Sequence, residues 1–247
     1  AAGLEMPTGW PALAAALNEP AEVTPHGKPK PRPPLASRPR QLSVTRIETL
    51  LRDPYAIYAA NILRLEPVPP VAAAADPSMK GVVVHAAIAD FLAAYPSALP
   101  GDALQQLIGF GRKHFDMLEA GAEIESFWWP RFERIAAWFI DEERRNRPAI
   151  RSILSEQPGR LDLGIDGQSF ALTCRADRID ILADGTAGIT DYKTGTVPSA
   201  GQVRSGLSPQ LTLQAAILAA GGFRDTEPHE VSRIAYVKLG GGDPPGE

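Results

Sequence analysis

Residues Leu172-Thr-Cys-Arg-Ala-Asp177-Arg-Ile-Asp180-Ile-Leu-Ala-Asp184-Gly185-Thr-Ala-Gly-Ile-Thr-Asp191-Tyr-Lys193-Thr-Gly195 carry the densest signal in the chain. They read as two strands, Leu172 to Leu182 and Thr186 to Lys193, with a turn at Asp184-Gly185. Side chains alternate across a strand, so Asp191 and Lys193 share one face and Tyr192 takes the other. A two-residue turn would set Arg178 against Asp191 and send Asp177 to the far face. A three-residue turn, Ala183-Asp184-Gly185 with the glycine left-handed, pairs Asp177 with Asp191 and Ile179 with Ile189. The apolar match favours the second register. It also puts two carboxylates beside a lysine, which is unfavourable in a bare sheet and is relieved by a divalent cation.

Asp177-Arg178-Ile179-Asp180, the turn, Asp191-Tyr192-Lys193-Thr194-Gly195 and a downstream Gln210 resemble the nuclease core of the PD-(D/E)XK superfamily, in its RecB-like branch. Within that branch they are most similar to the C-terminal nuclease domain of AddB, a subunit of the bacterial AddAB helicase–nuclease. The likeness runs from about Leu42 to Leu239. An Asp-x-Lys alone is common; the preceding Asp, the turn and the Gln helix make the pattern specific. The resemblance implies an α/β, restriction-endonuclease-like fold: a central mixed β-sheet flanked by helices, with a helical N-terminal extension. It implies a metal-dependent DNA exonuclease or endonuclease in double-strand break repair and recombination. An AddA-like helicase partner would feed it a single strand from a duplex end.

The remaining composition constrains this reading. With 247 residues and 44% hydrophobic content, the chain can bury one substantial core. A net charge of -4 gives no general attraction to DNA, so contact must come from a local basic surface or a partner. The single cysteine, Cys174, excludes an internal disulfide and fits a reducing compartment. No signal peptide and no apolar run of spanning length are evident, so a cytoplasmic protein is expected.

Ala1 to Arg40 holds nine prolines, and residues 1–41 read as a linker ahead of a nuclease domain over 42–247. Lys28, Lys30, Arg32, Arg38 and Arg40 read as a solvated arm in preference to a DNA-touching one. The domain divides into a helical part, 42–148, and a catalytic α/β core, 149–239. From Leu42 the pattern is helical, with a Thr45/Glu48 capping box and a stop at Asp53-Pro54. AddB-type nucleases carry a Cys-Pro there as part of an iron–sulfur cluster. Asp53-Pro54 and the single cysteine leave no means of building one, so none is expected. A second short helix, Tyr55 to Leu65, follows.

Gly81 to Tyr95 reads as an amphipathic helix with Val84, Ile88, Phe91 and Leu92 on its apolar stripe and His85 at the edge. A lone histidine there is ordinarily a packing or surface residue. The family's Gly-x-x-x-His helix implies instead that His85 faces the metal. Helices over Asp102 to Ala120 and Phe127 to Asn146 follow, with Trp128, Trp129 and Trp138 read as core rather than base-stacking platforms. Strands are expected at Ile150 to Gln157, Arg160 to Ile165 and Ser232 to Leu239, the last followed by a disordered or truncated end. Glu156 is an exposed strand-end acid or, by resemblance, a further metal ligand. Ser208 reads as the cap and Pro209 as the first turn of a helix carrying Gln210 and Gln214; the family usually has Tyr at the second position.

Phosphodiester hydrolysis needs an activated water and stabilisation of charge on the phosphoryl and leaving oxygens, which hard cations held by carboxylates supply. Asp177 and Asp191 would hold Mg²⁺ or Mn²⁺, with Glu156 and His85 completing the shell. Lys193 would orient the water and offset charge, and Gln210 would position Lys193 or the DNA backbone. Oxygen-rich ligation argues against zinc. A catalytically silent DNA- or partner-binding relative is the alternative. An ion-paired hairpin in a metabolic enzyme has no Gly-rich phosphate loop or Ser/His/Asp set to support it.

Overall fold

The hairpin lies at the centre of a mixed sheet of five strands: β1 (Gln41–Ser43), β2 (Ile150–Ile165), β3 (Gln168–Leu182), β4 (Ala187–Lys193) and β5 (Val231–Lys238). The structure is a computed structural model that describes residues 9–19, 22–23, 25, 27–28, 30–68, 77–118, 124–165 and 167–247. The helices among them are α1 (Trp10–Leu17), α2 (Val44–Arg52), α3 (Pro54–Ile57), α4 (Pro77–Ala94), α5 (Ala103–Phe115), α6 (Trp129–Asn146), α7 (Ala200–Arg204) and α8 (Gln210–Ala219). The chain divides into two units, Ala1–Pro34 and Leu35–Glu247. The first contains α1, with no buried residue.

The register is the one that pairs the isoleucines. Ile179 faces Ile189 and Arg178 faces Thr190, while Leu182 and Thr186 close a three-residue loop with Gly185 at φ 86°. β2 runs antiparallel along all of β3, so β1 (parallel) and β4 (antiparallel) share the other edge of that long strand at different levels. β5 adds parallel to β4. A one-residue slip would turn every side chain over, and the two faces are too different to allow it. On one face Ile179, Ile181 and Ile189 pack with Val44, Leu211, Ile217 and Leu218 from α2 and α8. On the other, Tyr192, Ile150 and Ile153 pack with α4, α5 and α6 through Val84, Ile88, Phe91, Leu92, Phe132 and Phe139.

Several expectations need correcting. β1 takes its first residue, Gln41, from the segment read as linker and its other two, Leu42 and Ser43, from the stretch read as helical; three residues docking on an existing strand carry no pattern of their own. The cap of α2 is Ser43, whose hydroxyl accepts from Arg46 N–H, and not Thr45. Ile150 to Ile165 is one strand where two were expected, because Pro158 and Gly159 sit within its pairing to β3. Ser208 does not cap α8; its hydroxyl donates to Glu48 and accepts from Arg52. Trp128 and Trp129 are buried, as expected, but Phe127 is exposed. The C-terminal end folds back, Lys238 and Glu247 exchanging backbone hydrogen bonds.

Behind the hairpin lies an ionic network. Arg178 reaches Glu143 and Asp180, both at 2.5 Å, and the Tyr192 hydroxyl at 3.1 Å, while Glu143 also binds Arg147 at 2.8 Å. Burial and the Arg178 field oppose one another at Asp180, and burial prevails, raising its pKa. Removing Arg178 would leave buried Glu143 with Arg147 alone and buried Asp180 with only the more distant Arg233, at 3.5 Å. Arg178→Ala is therefore expected to cost about 3–5 kcal/mol of stability, read as a lowered urea midpoint at unchanged slope.

Candidate active site

Asp177 and Asp191 emerge from the β3–β4 ladder on the α8 face, one step beyond the Arg178–Thr190 pair. The Tyr192 N–H donates to Asp177 Oδ2 at 2.9 Å, so the backbone of one strand orients the carboxylate of the other. His85 Nδ1, from α4, stands 3.4 Å from the same oxygen. The His85 ring meets the Tyr192 ring edge-on at 6.3 Å, and Tyr192 is buried behind the site.

Asp191 is 2% exposed and is gripped from two sides. Lys193 Nζ lies 2.7 Å from Oδ2, and the Gln210 amide donates to Oδ1. The same Gln210 accepts from Lys193 Nζ at 3.2 Å through Oε1, so the first residue of α8 ties acid and amine together. The Lys193 ammonium is thus the ion-pair partner of the buried Oδ2. Burial and the nearby Asp177 charge raise the Asp191 pKa against the opposing pull of Lys193.

Glu156 lies across β2 from Asp177, between the Ser155–Arg178 and Gln157–Ala176 pairs. Its backbone is left-handed at φ 52°, a conformation that costs about 1–3 kcal/mol for a residue with a side chain. Burial and the Asp177 charge raise its pKa, while Arg175 at 2.9 Å partly offsets them. Strain and a destabilised charge thus coincide beside the paired aspartates.

The model of the PD-(D/E)XK nuclease superfamily matches residues 41–245, from β1 through β5 and beyond. The chain belongs to the PD-(D/E)XK nuclease superfamily. An uncharacterised protein of Rickettsia bellii (strain RML369-C) is 30% identical over 219 residues, which cover 83% of this chain and 26% of the relative. Uncharacterised proteins of Rickettsia conorii and Rickettsia typhi are 31% and 30% identical, covering 76% and 83% of this chain and 23% and 24% of their own. The chain therefore spans about a quarter of the length of the curated relatives it matches. Among the described residues, no helix is long and apolar enough to cross a membrane.

Nucleases of this superfamily generally use divalent cations. Among the described residues, no three His, Cys, Asp or Glu side chains form a ready-made metal cage. The donor set still fits a hard cation: the carboxylates supply oxygen ligands, and the Asp177 charge disfavours ionisation of Asp191 and Glu156, a conflict a cation would relieve. A cavity of 400 Å³ on the other side of the sheet, lined by Glu143, Arg178, Asp180, Tyr192 and Arg233, faces away from these residues.

Further residues bear on the site, and two of them, Tyr236 and Glu143, escaped the sequence reading. Tyr236 on β5 pairs with Asp191, and burial with the Asp191 charge pushes its phenol up to about 12. Gly81 packs where a Cβ would meet the Thr194 hydroxyl at 2.8 Å, so the glycine of Gly-x-x-x-His lets α4 approach the residue after Lys193. Gln214, where the family usually has Tyr, is buried and donates to the Arg175 carbonyl at 3.1 Å. It joins α8 to β3 and points no donor at the carboxylates. Glu143 was the most legible of the missed residues, because the buried series Phe132, Ile135, Ala136, Phe139, Ile140 continues at helical spacing to it.

Proposed function

We propose that this chain is a divalent-metal-dependent deoxyribonuclease domain that hydrolyses phosphodiester bonds, and that Asp177, Asp191, Lys193 and Gln210 are its working centre. The observation that carries the reading is the Asp191–Lys193–Gln210 triangle, in which one buried carboxylate is held by an amine and an amide within the field of a second carboxylate, Asp177. Asp177 and Asp191 would hold Mg²⁺ or Mn²⁺, with Glu156 and His85 around them. Such an ion supplies charge stabilisation at the phosphoryl oxygens and a more acidic water. Lys193 orients the attacking water and offsets the charge that develops on the phosphate. Gln210 keeps the Lys193 ammonium aimed at the site instead of letting it swing into solvent.

The acidic charge of the chain and its share of longer relatives support a domain of a larger machine, as in the AddB-like reading: a cytoplasmic helicase–nuclease in double-strand break repair, with an AddA-like partner delivering single strands. The chain alone is then expected to cut single-stranded DNA weakly and only with Mg²⁺ or Mn²⁺. Calorimetric titration with MgCl₂ and cleavage of an end-labelled oligonucleotide test this together. Neither heat of binding nor cleavage, in the chain or in its parent protein, would leave a catalytically silent binding domain.

A further inference from the structure

One cluster of cations beside the site has no role in the chemistry above: Lys80, Arg131 and Arg134. Lys80 sits in α4 immediately before Gly81, the residue packed against Thr194. Arg131 and Arg134 are exposed, one turn apart on α6, and so share a stripe of that helix. Arg134 donates to the Gly241 carbonyl from Nε at 2.9 Å and Nη2 at 2.6 Å, which fixes its guanidinium. A Cβ at Gly241, where φ is 66°, would stand 2.8 Å from Arg131 Cβ, so the same loop lies against both arginines. That loop follows Leu239, whose N–H donates to the Lys193 carbonyl at 2.7 Å. The cluster is thus joined to Lys193-Thr194 from two directions: through the 239–241 loop to Lys193, and through Gly81 to Thr194.

None of the ion pairs among the described residues involves these three side chains. Burial and the neighbouring charges of Arg131 and Arg134 lower the Lys80 pKa, so the three cations feel one another. A fold gains nothing by holding like charges together, and an anion placed among them relieves the repulsion. In a chain of net charge -4, a local cluster of this kind is what a polyanion could find.

We propose that Lys80, Arg131 and Arg134 form a phosphate-binding track that grips the nucleic-acid backbone beside the carboxylate site and positions the strand for cutting. The proposal rests on the nuclease reading. These are positioning residues: the track contacts phosphates next to the one cut.

The test uses the full chain and a fluorescein-labelled single-stranded oligonucleotide, with anisotropy read over a range of NaCl concentrations and cleavage assayed with Mg²⁺. Lys80→Gln/Arg131→Gln is expected to weaken binding about ten-fold or more and to lower the slope of log affinity on log salt by about 1.4, roughly 0.7 for each phosphate no longer neutralised. KM should rise by the same factor with kcat nearly unchanged. Lys80→Arg/Arg131→Lys should restore both, and Arg144→Glu, on α6 beside Asp141, should leave both untouched. Wild-type affinity and salt slope in the Gln double variant, with cleavage intact in the unmodified chain, would overturn the track alone. An unmodified chain that neither binds the strand nor cuts it would overturn the nuclease reading and the track with it.

Discussion

Asp191→Ala is expected to abolish magnesium binding and strand cleavage together, and Asp191→Asn to do the same while leaving the metal-free fold at least as stable as before. The second half follows from the sign of the pKa shift. The Asp191 carboxyl is raised above its ordinary 3.8 by burial and by Asp177, so the folded chain holds that proton more tightly than the unfolded one. Stability then falls as pH rises through the window between 3.8 and the raised folded value, and at neutral pH the ionised Asp191 is a net cost. Asparagine removes that charge at the same volume and can still meet Gln210. Alanine also removes the charge but leaves the Gln210 amide and Lys193 without their partner.

Thermal melts with and without MgCl₂ separate the effects. The native chain should gain stability from the cation as RT ln(1 + [L]/Kd), about 2.7 kcal/mol at a hundred-fold excess over Kd. Neither variant should gain any. An Asp191→Asn protein that still melts higher in Mg²⁺, or still cuts at the unmodified rate, would remove Asp191 from the metal site.

The parts of this arrangement that could be read from sequence are those governed by short-range periodicity. Alternation places Asp191 and Lys193 on one face, Gly185 permits the three-residue turn, and the Ile179–Ile189 match selects the register that brings Asp177 level with Asp191. Gln210 was picked out by the family resemblance and not by the helix start, since Ser208 serves Glu48 and Arg52 instead of the cap. What could not be read depends on long-range docking. β1 is a strand only because β3 offers an unpaired edge at Ala171. The left-handed backbone of Glu156 leaves no trace in composition, since glutamate is among the residues least expected there. The Arg178–Glu143–Arg147 network joins residues from β3, α6 and the turn just after α6 whose charges, taken one at a time, look like solvated surface.

Lys193→Ala is expected to lower kcat by about 10²–10³-fold, with magnesium affinity retained within a small factor. The lysine is partly exposed, at the end of β4, and its ammonium is held by Asp191 Oδ2 and Gln210 Oε1 and not by the core. Its loss therefore removes little packing. It does remove a positive charge from the point where negative charge grows as the phosphate passes through its transition state, and a group that acts there changes kcat without a matching change in ground-state binding. The retained metal affinity separates this role from that of Asp191: alanine at 193 takes away a competitor for Oδ2 as well as a catalyst, so cation binding holds or tightens while turnover collapses. Gln210→Ala should cost less than either, since the amide touches both partners but does not itself bear on the phosphate, and Lys193→Arg should recover only part of the rate because a planar guanidinium cannot take the place of a compact ammonium between Oδ2 and Oε1. Single-turnover cleavage with magnesium held far above Kd is the measurement. A Lys193→Ala chain that keeps its single-turnover rate would mean the lysine serves only to neutralise Asp191, and the activation of water would have to come from elsewhere in the site.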